Sequence, residues 1–301
     1  MPRSDTRRID GILPLDKPRG VGSNAVLQHV KRLFGAARAG HTGTLDPLAS
    51  GLLVICLGEA TKFSAELLHA SKSYRARVAL GVRTSTGDAE GEILERSSLV
   101  PEDAAIEAAL ARFRGEILQI PPMHSALKRD GRPLYYYARR GETLERAPRP
   151  VTIHALELLS RDGATLELAV SCSKGTYVRT LAEDIGRSLG CGAHLSGLVR
   201  TALGHFSLEQ ATTVEAIAAL QVQERPQLLL PPDALLAGYP EVALLPEDEV
   251  RFRHGQQVPG TLGASGLVRV YGSGRTFLGT GWSDAHGGLA PRRVVAGEAH
   301  A

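Results

Sequence analysis

The chain has 301 residues, 43% of them hydrophobic, with 35 Lys and Arg against 32 Asp and Glu and a formal net charge of +3. That length and apolar content exclude a disordered chain and suit one large domain plus a small one. No run of about 18 apolar residues exists and residues 1–10 are polar, so neither a membrane span nor a secretory leader is expected, and the expected compartment is the cytoplasm.

Residues 11–15 read as a short strand ending at Lys17-Pro18-Arg19-Gly20. Ser23 is then a good N-cap for a helix with Val26, Leu27, Val30, Leu33 and Phe34 on one face, stopped by Gly35. That helix delivers the chain to residues 39–53, Ala-Gly-His-Thr-Gly-Thr-Leu-Asp-Pro-Leu-Ala-Ser-Gly-Leu-Leu, where one carboxylate, Asp46, sits among three glycines. Pro47 biases Asp46 toward extended backbone, and the glycines permit sharp reversals, so one reading is a carboxylate held on a stiff, tightly turned loop. The other is structural: Asp46 as N-cap and Pro47 as first residue of a single helical turn that Gly51 stops.

Residues 51–57 form a continuous apolar run, best taken as a buried strand, and residues 60–69 continue as a helix with Phe63 and Leu67 inward. Residues 74–80 alternate like a strand. Asp88 and Glu90, in the polar loop 83–91, read as solvated turn residues. Residues 101–113 predict an amphipathic helix with Ile106, Ala109, Leu110 and Phe113 at helical spacing. Residues 119–141 combine a diproline, a basic cluster and three consecutive tyrosines, a mixture that suits an RNA backbone and unstacked bases; equally, Tyr135 to Tyr137 could simply cover the core. The segment reads as an insertion that closes over a ligand.

Residues 151–159 and 165–173 alternate with period two around Asp162-Gly163, a hairpin signal. They lead into Lys174-Gly175-Thr176-Tyr177-Val178-Arg179 and a helix with Val178, Leu181, Ile185 and Leu189 inward. An arginine in the first turn opposes the helix dipole and calls for an acid; Glu183 and Asp46 are the candidates. Leu198-Val199-Arg200-Thr201 follows, then a strand-like stretch 203–208 and a helix over about 213–220. Residues 225–248 look like a connection, with a division near Pro246. The remainder alternates between glycine turns and short strands, a small β-rich unit.

Charge is sorted along the chain. Residues 1–40 carry eight basic residues against three acids and residues 128–150 seven against three, whereas residues 241–249 carry four acids and no base. Such sorting suits either a polyanion on one face or a set of solvated faces. Cys56, Cys172 and Cys191 form no C-x-x-C pair and the ten histidines form no H-E-x-x-H, so no disulfide framework and no metal site is expected.

The residues carry a resemblance. Residues 40–52 resemble the signature loop of the TruB family of tRNA pseudouridine synthases, whose nucleophile is the aspartate of His-Thr-Gly-Thr-Leu-Asp-Pro. Asp16-Lys17-Pro18 with Gly20 and Ser23 is similar to the family's first motif, Tyr74 lies in its Lys-x-Tyr segment, Gly175 to Arg179 resembles its third motif, and Leu198 to Arg200 its Leu-Arg-Arg segment. Residues 119–141 resemble its RNA-clamping insertion and the C-terminal unit a PUA domain. Two departures are visible: Gly22 stands where the first motif usually has Thr, and Val199 replaces one arginine.

The resemblance implies an α+β fold, a mixed, mainly antiparallel sheet flanked by helices, with residues 1–245 as the catalytic domain, an insertion at about 119–150, and residues 246–301 as the PUA-like domain. It implies conversion of the T-loop uridine at position 55 of tRNA to pseudouridine, without a cofactor, metal, guide RNA or membrane, by a monomer. Asp46 would be the nucleophile, Arg179 its partner, and Tyr74 a stacking group and helper in proton removal. His41 would support or replace the flipped nucleotide, Tyr177 and Leu198 would line the pocket, and Lys17 and Arg200 would contact substrate. An RNA-binding or RNA-folding factor with incidental catalysis is the alternative. A nucleotide hydrolase fails because no Gly-Lys-[Ser/Thr] follows the glycines.

Overall fold

The structure, a computed structural model, describes residues 9–260 and 265–296. The basic N-terminal stretch is therefore described from residue 9 onward. In chain order the first strands are β1 (Gly11–Lys17), β2 (Ala39–His41), β3 (Ala49–Leu57), β4 (Lys72–Leu80), β5 (Val82–Thr84), β6 (Ile93–Arg96), β7 (Gly115–Gln119), β8 (Lys128–Arg129) and β9 (Arg132–Pro133). Then come β10 (Arg149–Asp162), β11 (Thr165–Cys172), β12 (Ala193–Leu203), β13 (Phe206–Ser207) and β14 (Thr212–Thr213). The helices are α1 (Ser23–Phe34), α2 (Ser64–Leu68), α3 (Asp103–Arg112), α4 (Leu134–Ala138), α5 (Val178–Ser188), α6 (Val214–Ala219) and α7 (Pro246–Arg253).

Ten strands form one sheet in the order β14-β1-β3-β12-β4-β11-β10-β7, with β13 and β2 paired beside β12 and β3. Only β1 with β14 and β3 with β12 run parallel; the other pairs of this sheet are antiparallel, as the mixed, mainly antiparallel expectation required. The apolar run in β3 has a direct cause. Leu52, Val54 and Cys56 point into one core with Ile12, Phe63 and Leu67, while Leu53, Ile55 and Leu57 point into another with Val26, Val30 and Phe34. All six β3 side chains are fully buried, so the strand is dry on both faces and shows no alternation. A third core packs α3 and α5 on β4, β10, β11 and β12, through Ile106, Leu110, Leu181, Ile185, Val78 and Leu168.

Several boundaries differ from the sequence reading for local reasons. Ser23 is the first residue of α1, not its cap; Gly22 caps it, which frees the Ser23 hydroxyl for another task. Gly35 ends the helix as expected, at φ 64°. The helix expected over residues 60–69 is a 3-10 turn, Gly58–Phe63, followed by the short α2, with Phe63 and Leu67 buried as anticipated. The strand expected at residue 203 instead begins at Ala193 and takes Leu198 and Arg200 into the sheet, because β3 and β4 offer it two open edges.

The insertion leaves the sheet between Gln119 and Arg149, which are paired to each other across β7 and β10. It holds the β8–β9 hairpin and α4, in which only Leu134 is buried. The second sheet contains β15 (Glu241–Ala243), β16 (Val258–Pro259), β17 (Gly266–Tyr271), β18 (Phe277–Ser283) and β19 (Gly288–Val294), in the order β15-β17-β18-β19-β16. Since β15 pairs in parallel with β17, the small unit begins before Pro246, the position at which the sequence placed the division. Three of the four acids of residues 241–249 are paired: Glu241 bridges Arg269 and Arg275, Asp248 meets Arg251, and Glu249 meets Arg253, while Glu247 is exposed. The small sheet is mounted on the large unit by the Phe63–Phe277 ring contact, a Tyr271 to Asp233 hydrogen bond of 2.6 Å, and Lys62 donating to the Val294 carbonyl.

Candidate active site

The loop that carries Asp46 is pinned from several sides. Leu45 and Leu48 are buried on either side of it. The Ser23 hydroxyl accepts from the Leu45 N–H and donates to the Leu45 carbonyl, both at 2.8 Å, which explains why Ser23 does not cap its helix. Gly20 N–H donates to the Pro47 carbonyl at 2.7 Å and Thr42 N–H to the Val54 carbonyl at 3.1 Å. Pro47 and Leu48 form only a single turn, closed by the Ala49 N–H donating to the Asp46 carbonyl at 3.0 Å, and β3 begins at Ala49, so Asp46 caps no helix.

With its backbone fixed, the Asp46 carboxylate stays 46% exposed and lies 2.9 Å from Arg179 Nη2. Arg179, in the first turn of α5, is almost wholly buried. Its guanidinium also donates to the His124 carbonyl at 2.7 Å and to the Thr86 carbonyl at 3.3 Å, and Nη1 lies 3.5 Å from Asp88 Oδ2. Three separate segments, the Asp46 loop, the turn between β5 and β6, and the base of the insertion, thus converge on one cation.

Asp88 is a correction to the sequence reading, which took it for a solvated turn residue; it is buried, while Glu90 is exposed as expected. Asp88 accepts from the Thr86 hydroxyl at 2.6 Å and the Glu90 N–H at 3.1 Å, so it shapes its own turn and faces Arg179 at once. Its sequence, Thr-Gly-Asp-Ala-Glu-Gly, looks like any polar turn. The single clue was the need of Arg179 for an acid, and Glu183 does not ion-pair with it.

Tyr74 lies on β4 directly opposite Arg200 of β12, and Leu198 sits two residues earlier on the same strand, packed with Tyr74 against the third core. Burial pushes the Tyr74 phenol above its ordinary range, and the neighbouring Arg200 guanidinium works against that rise. Tyr177 precedes α5; its N–H donates to the Gln119 side chain at 3.0 Å and its carbonyl accepts from the same amide at 3.3 Å. Gln119, buried and unmarked in the sequence, therefore ties the start of the insertion to the start of α5. Burial also raises the Tyr177 phenol. His41 ends β2; burial, reinforced by the Arg200 charge, holds its ring below the usual histidine value, and Nδ1 is buried without a hydrogen-bond partner among the described residues.

Lys17 and Arg200 are not placed as RNA contacts. Lys17 is sealed from solvent and donates to the Pro18 carbonyl at 2.9 Å and the Val21 carbonyl at 2.6 Å. Burial lowers its ammonium to about 8, the Asp46 carboxylate opposing and the Arg200 cation adding to that fall. Arg200 is 1% exposed and donates to the Leu52 and Gly43 carbonyls. Arg200 braces the Asp46 loop from inside and Lys17 the turn at residues 18–21, and both are buried where a phosphate has no access.

The insertion surface is built from arginines over tyrosine rings: Arg132 lies 4.7 Å from the Tyr136 centroid and Arg139 5.3 Å from that of Tyr135. Tyr135 is exposed and its two neighbours half-buried, so none of the three is a core residue. No helix among the described residues is long and apolar enough to cross a membrane.

Comparison with known proteins gives three consecutive family matches. Residues 31–178 match "TruB family pseudouridylate synthase (N terminal domain)", residues 179–237 "tRNA pseudouridylate synthase B C-terminal domain", and residues 240–295 "Pseudouridine synthase II TruB, C-terminal". The chain is 54% identical over 293 residues to the tRNA pseudouridine synthase B of Aromatoleum aromaticum, covering 97% of this chain and 95% of that one. It is 54% identical to the tRNA pseudouridine synthase B of Methylobacillus flagellatus, with 96% of each chain covered. Among solved structures it is similar to a chain of a Cbf5-Nop10-Gar1 complex, with TM-score 0.69 and 28% identity over 91% of this chain and 78% of that one. It also shares its fold with a chain of an H/ACA RNP bound to a substrate RNA containing 2'-deoxyuridine, with TM-score 0.72 and 22% identity over 96% and 86% of the two chains.

Proposed function

Since the chain belongs to the TruB family of tRNA pseudouridine synthases, we propose that it acts on the T-loop uridine at position 55 of tRNA, with Asp46 as the nucleophile. It is an isomerase that converts a tRNA uridine to pseudouridine. The observation that carries the assignment of Asp46 is its pairing: a carboxylate open to solvent on one side and held 2.9 Å from a buried arginine on the other.

The chemistry follows from that pairing. Isomerisation breaks the bond from uracil N1 to the ribose C1′, turns the base and rejoins it through C5, with no net oxidation and no second reactant. A carboxylate that forms a transient covalent adduct divides this change into easier steps. Pairing with a guanidinium that is charged at every working pH supports the anionic, nucleophilic form. The target base leaves its stack to reach Asp46, which costs a few kcal/mol and needs a replacement surface. Tyr74 stacks on the flipped uracil and takes part in removing the C5 proton, Tyr177 and Leu198 flank it, and His41 stands by the vacated position, where its unpartnered Nδ1 has a donor or acceptor to meet. The arginine and tyrosine surface of the insertion closes on the T-stem and loop.

Release of tritium from C5-labelled uridine in a tRNA transcript tests this reading. The wild-type chain is expected to release it from a transcript with the T-loop uridine and not from one in which that uridine is replaced by cytidine. Equal release from both would remove the assignment of position 55, and none from either would remove the activity.

A further inference from the structure

Trp282, the single tryptophan of the chain, stands on the small sheet with 41% of its surface exposed. The direction in which it points follows from the register. Val268 and Val270 of β17, Leu278 of β18 and Leu289 of β19 turn to one face and form a dry core with Val258 and with Phe252 of α7. Trp282 is paired directly with Leu267 on one side and Ala290 on the other. Each of those two neighbours a core residue along its strand, so Leu267, Trp282 and Ala290 share the opposite face. Leu267 and Ala290 are half-buried there and flank the indole.

A lone exposed apolar side chain is ordinary; the charge beside this one is not. The Arg292 guanidinium lies 5.4 Å from the indole centroid. Arg292 is the extra residue of a bulge in β19, between Pro291 and Arg293, which pair with Gly281 and Thr280, and a bulge re-aims a side chain. The other arginines of this unit are neutralised: Arg251 meets Asp248, Arg253 meets Glu249, and Arg269 and Arg275 meet Glu241. Arg292 and Arg293 are exposed and ion-pair with no acid among the described residues. Asp284, two residues beyond Trp282, is held by its own turn, where one carboxylate oxygen accepts from the His286 and Gly288 N–H groups at 2.8 Å.

An open indole beside two uncompensated guanidiniums fits an unstacked nucleobase and its phosphate. The ring offers a stacking face, and the guanidiniums offer charge-assisted hydrogen bonds to phosphate oxygens. Paired RNA does not suit it, because bases inside a helix have no face to give. We propose that Trp282, Arg292 and Arg293 form a second RNA site, which stacks an unpaired base of the tRNA from outside the T-stem and loop. The inference rests on the reading that Asp46 and the insertion, both on the large unit, take up the T-stem and loop themselves. On binding, the base replaces Arg292 over the ring, since an exposed cation–π contact is weaker than base stacking on the same indole, and the freed guanidinium turns to the flanking phosphate. The enzyme thus grips one substrate at two places, and the small sheet adds affinity that an isolated T-arm does not receive.

Because the chain has one tryptophan, its fluorescence reports this site alone. Two RNAs are compared, a full-length tRNA transcript and a hairpin of its T-stem and loop. Saturating tRNA is expected to quench the emission by about half and to shield the ring from acrylamide, whereas the saturating hairpin leaves both nearly as in the free protein. Trp282→Ala is expected to weaken binding of full-length tRNA about tenfold and Trp282→Phe about threefold, with hairpin affinity within about twofold of wild type in each. Unchanged emission with tRNA bound, equal quenching by the hairpin, undiminished tRNA affinity in Trp282→Ala, or equal losses for the two RNAs would overturn the proposal. The emission measurement uses the wild-type chain and decides the matter even if Trp282→Ala fails to fold. A hairpin that binds and releases no tritium would instead fault the functional reading, independently of Trp282.

Discussion

Asp88 holds Arg179 from behind while Asp46 meets it from the solvent side, with the two carboxylates 3.5 Å and 2.9 Å from the same guanidinium. One acid is buried and the other is open, so a single cation faces one fixed partner and one that can leave to react.

Asp46→Asn keeps the size of the side chain and removes its charge. Tritium release should fall on the order of a thousandfold or more, with tRNA binding within a few fold of wild type. Near-normal turnover in single-turnover assays would refute the nucleophile assignment.

Asp88→Asn should show whether the rear partner matters. Weakening a buried ion pair leaves Arg179 less well compensated, so we expect a loss of about 2 kcal/mol in stability and at least about a tenfold fall in turnover. Urea denaturation and steady-state assays on the same preparation would separate the two effects; normal turnover with reduced stability would make Asp88 purely structural.

Lys17 gives a pH dependence of defined sign. Its folded-state value of about 8 lies below the ordinary lysine value of 10.5, so between those two pH values the unfolded chain binds the extra proton. The stability penalty of burying the ammonium is therefore fully present below pH 8 and fades as pH rises toward 10.5. Relative to Lys17→Met, the wild-type chain should gain stability across that window, by about 3 kcal/mol at most. Urea midpoints of both proteins at a series of pH values measure it, and parallel curves would contradict it.

Gly51→Ala places a methyl 2.4 Å from the Arg200 carbonyl oxygen at a φ of +94°. Both the clash and the backbone strain oppose folding, so a loss of about 2–4 kcal/mol is expected from thermal denaturation. A melting temperature equal to wild type would mean that β3 and β12 can separate without harm.

Arg179→Lys retains a positive charge and cannot span Asp46, Asp88 and two carbonyls at once. Turnover should drop about a hundredfold or more while affinity for tRNA changes little. A rise in KM with turnover intact would place Arg179 among the RNA contacts instead.

How far the sequence could be read depended on how local each signal was. Gly35, the Asp162-Gly163 hairpin and the apolar run of β3 carry their causes within a few residues, and they folded as expected. The pairing of Asp46 with Arg179 was one of two open choices, because helix electrostatics demand an acid without naming it. Asp88, Gln119 and Ser23 were missed for one reason: each acts on a partner distant in the chain, through a side chain that is commonplace in a turn, a strand end or a helix start. Lys17 and Arg200 were expected to contact substrate because each lies in a family motif, whereas both are buried in a sheet assembled from β1, β3, β4 and β12, which no single stretch of sequence reveals.

The strand that follows the Asp46 loop is enclosed by two separate cores, and this bears on how the enzyme fails. Amides from Leu52 to Leu57 have no route to solvent short of opening both layers, so their hydrogen exchange should track global unfolding rather than local fraying. A carboxylate anchored to such a strand does not loosen ahead of the rest. Loss of activity on heating should coincide with the melting of the whole domain, and the working enzyme has no half-softened state in which the nucleophile drifts while the fold persists.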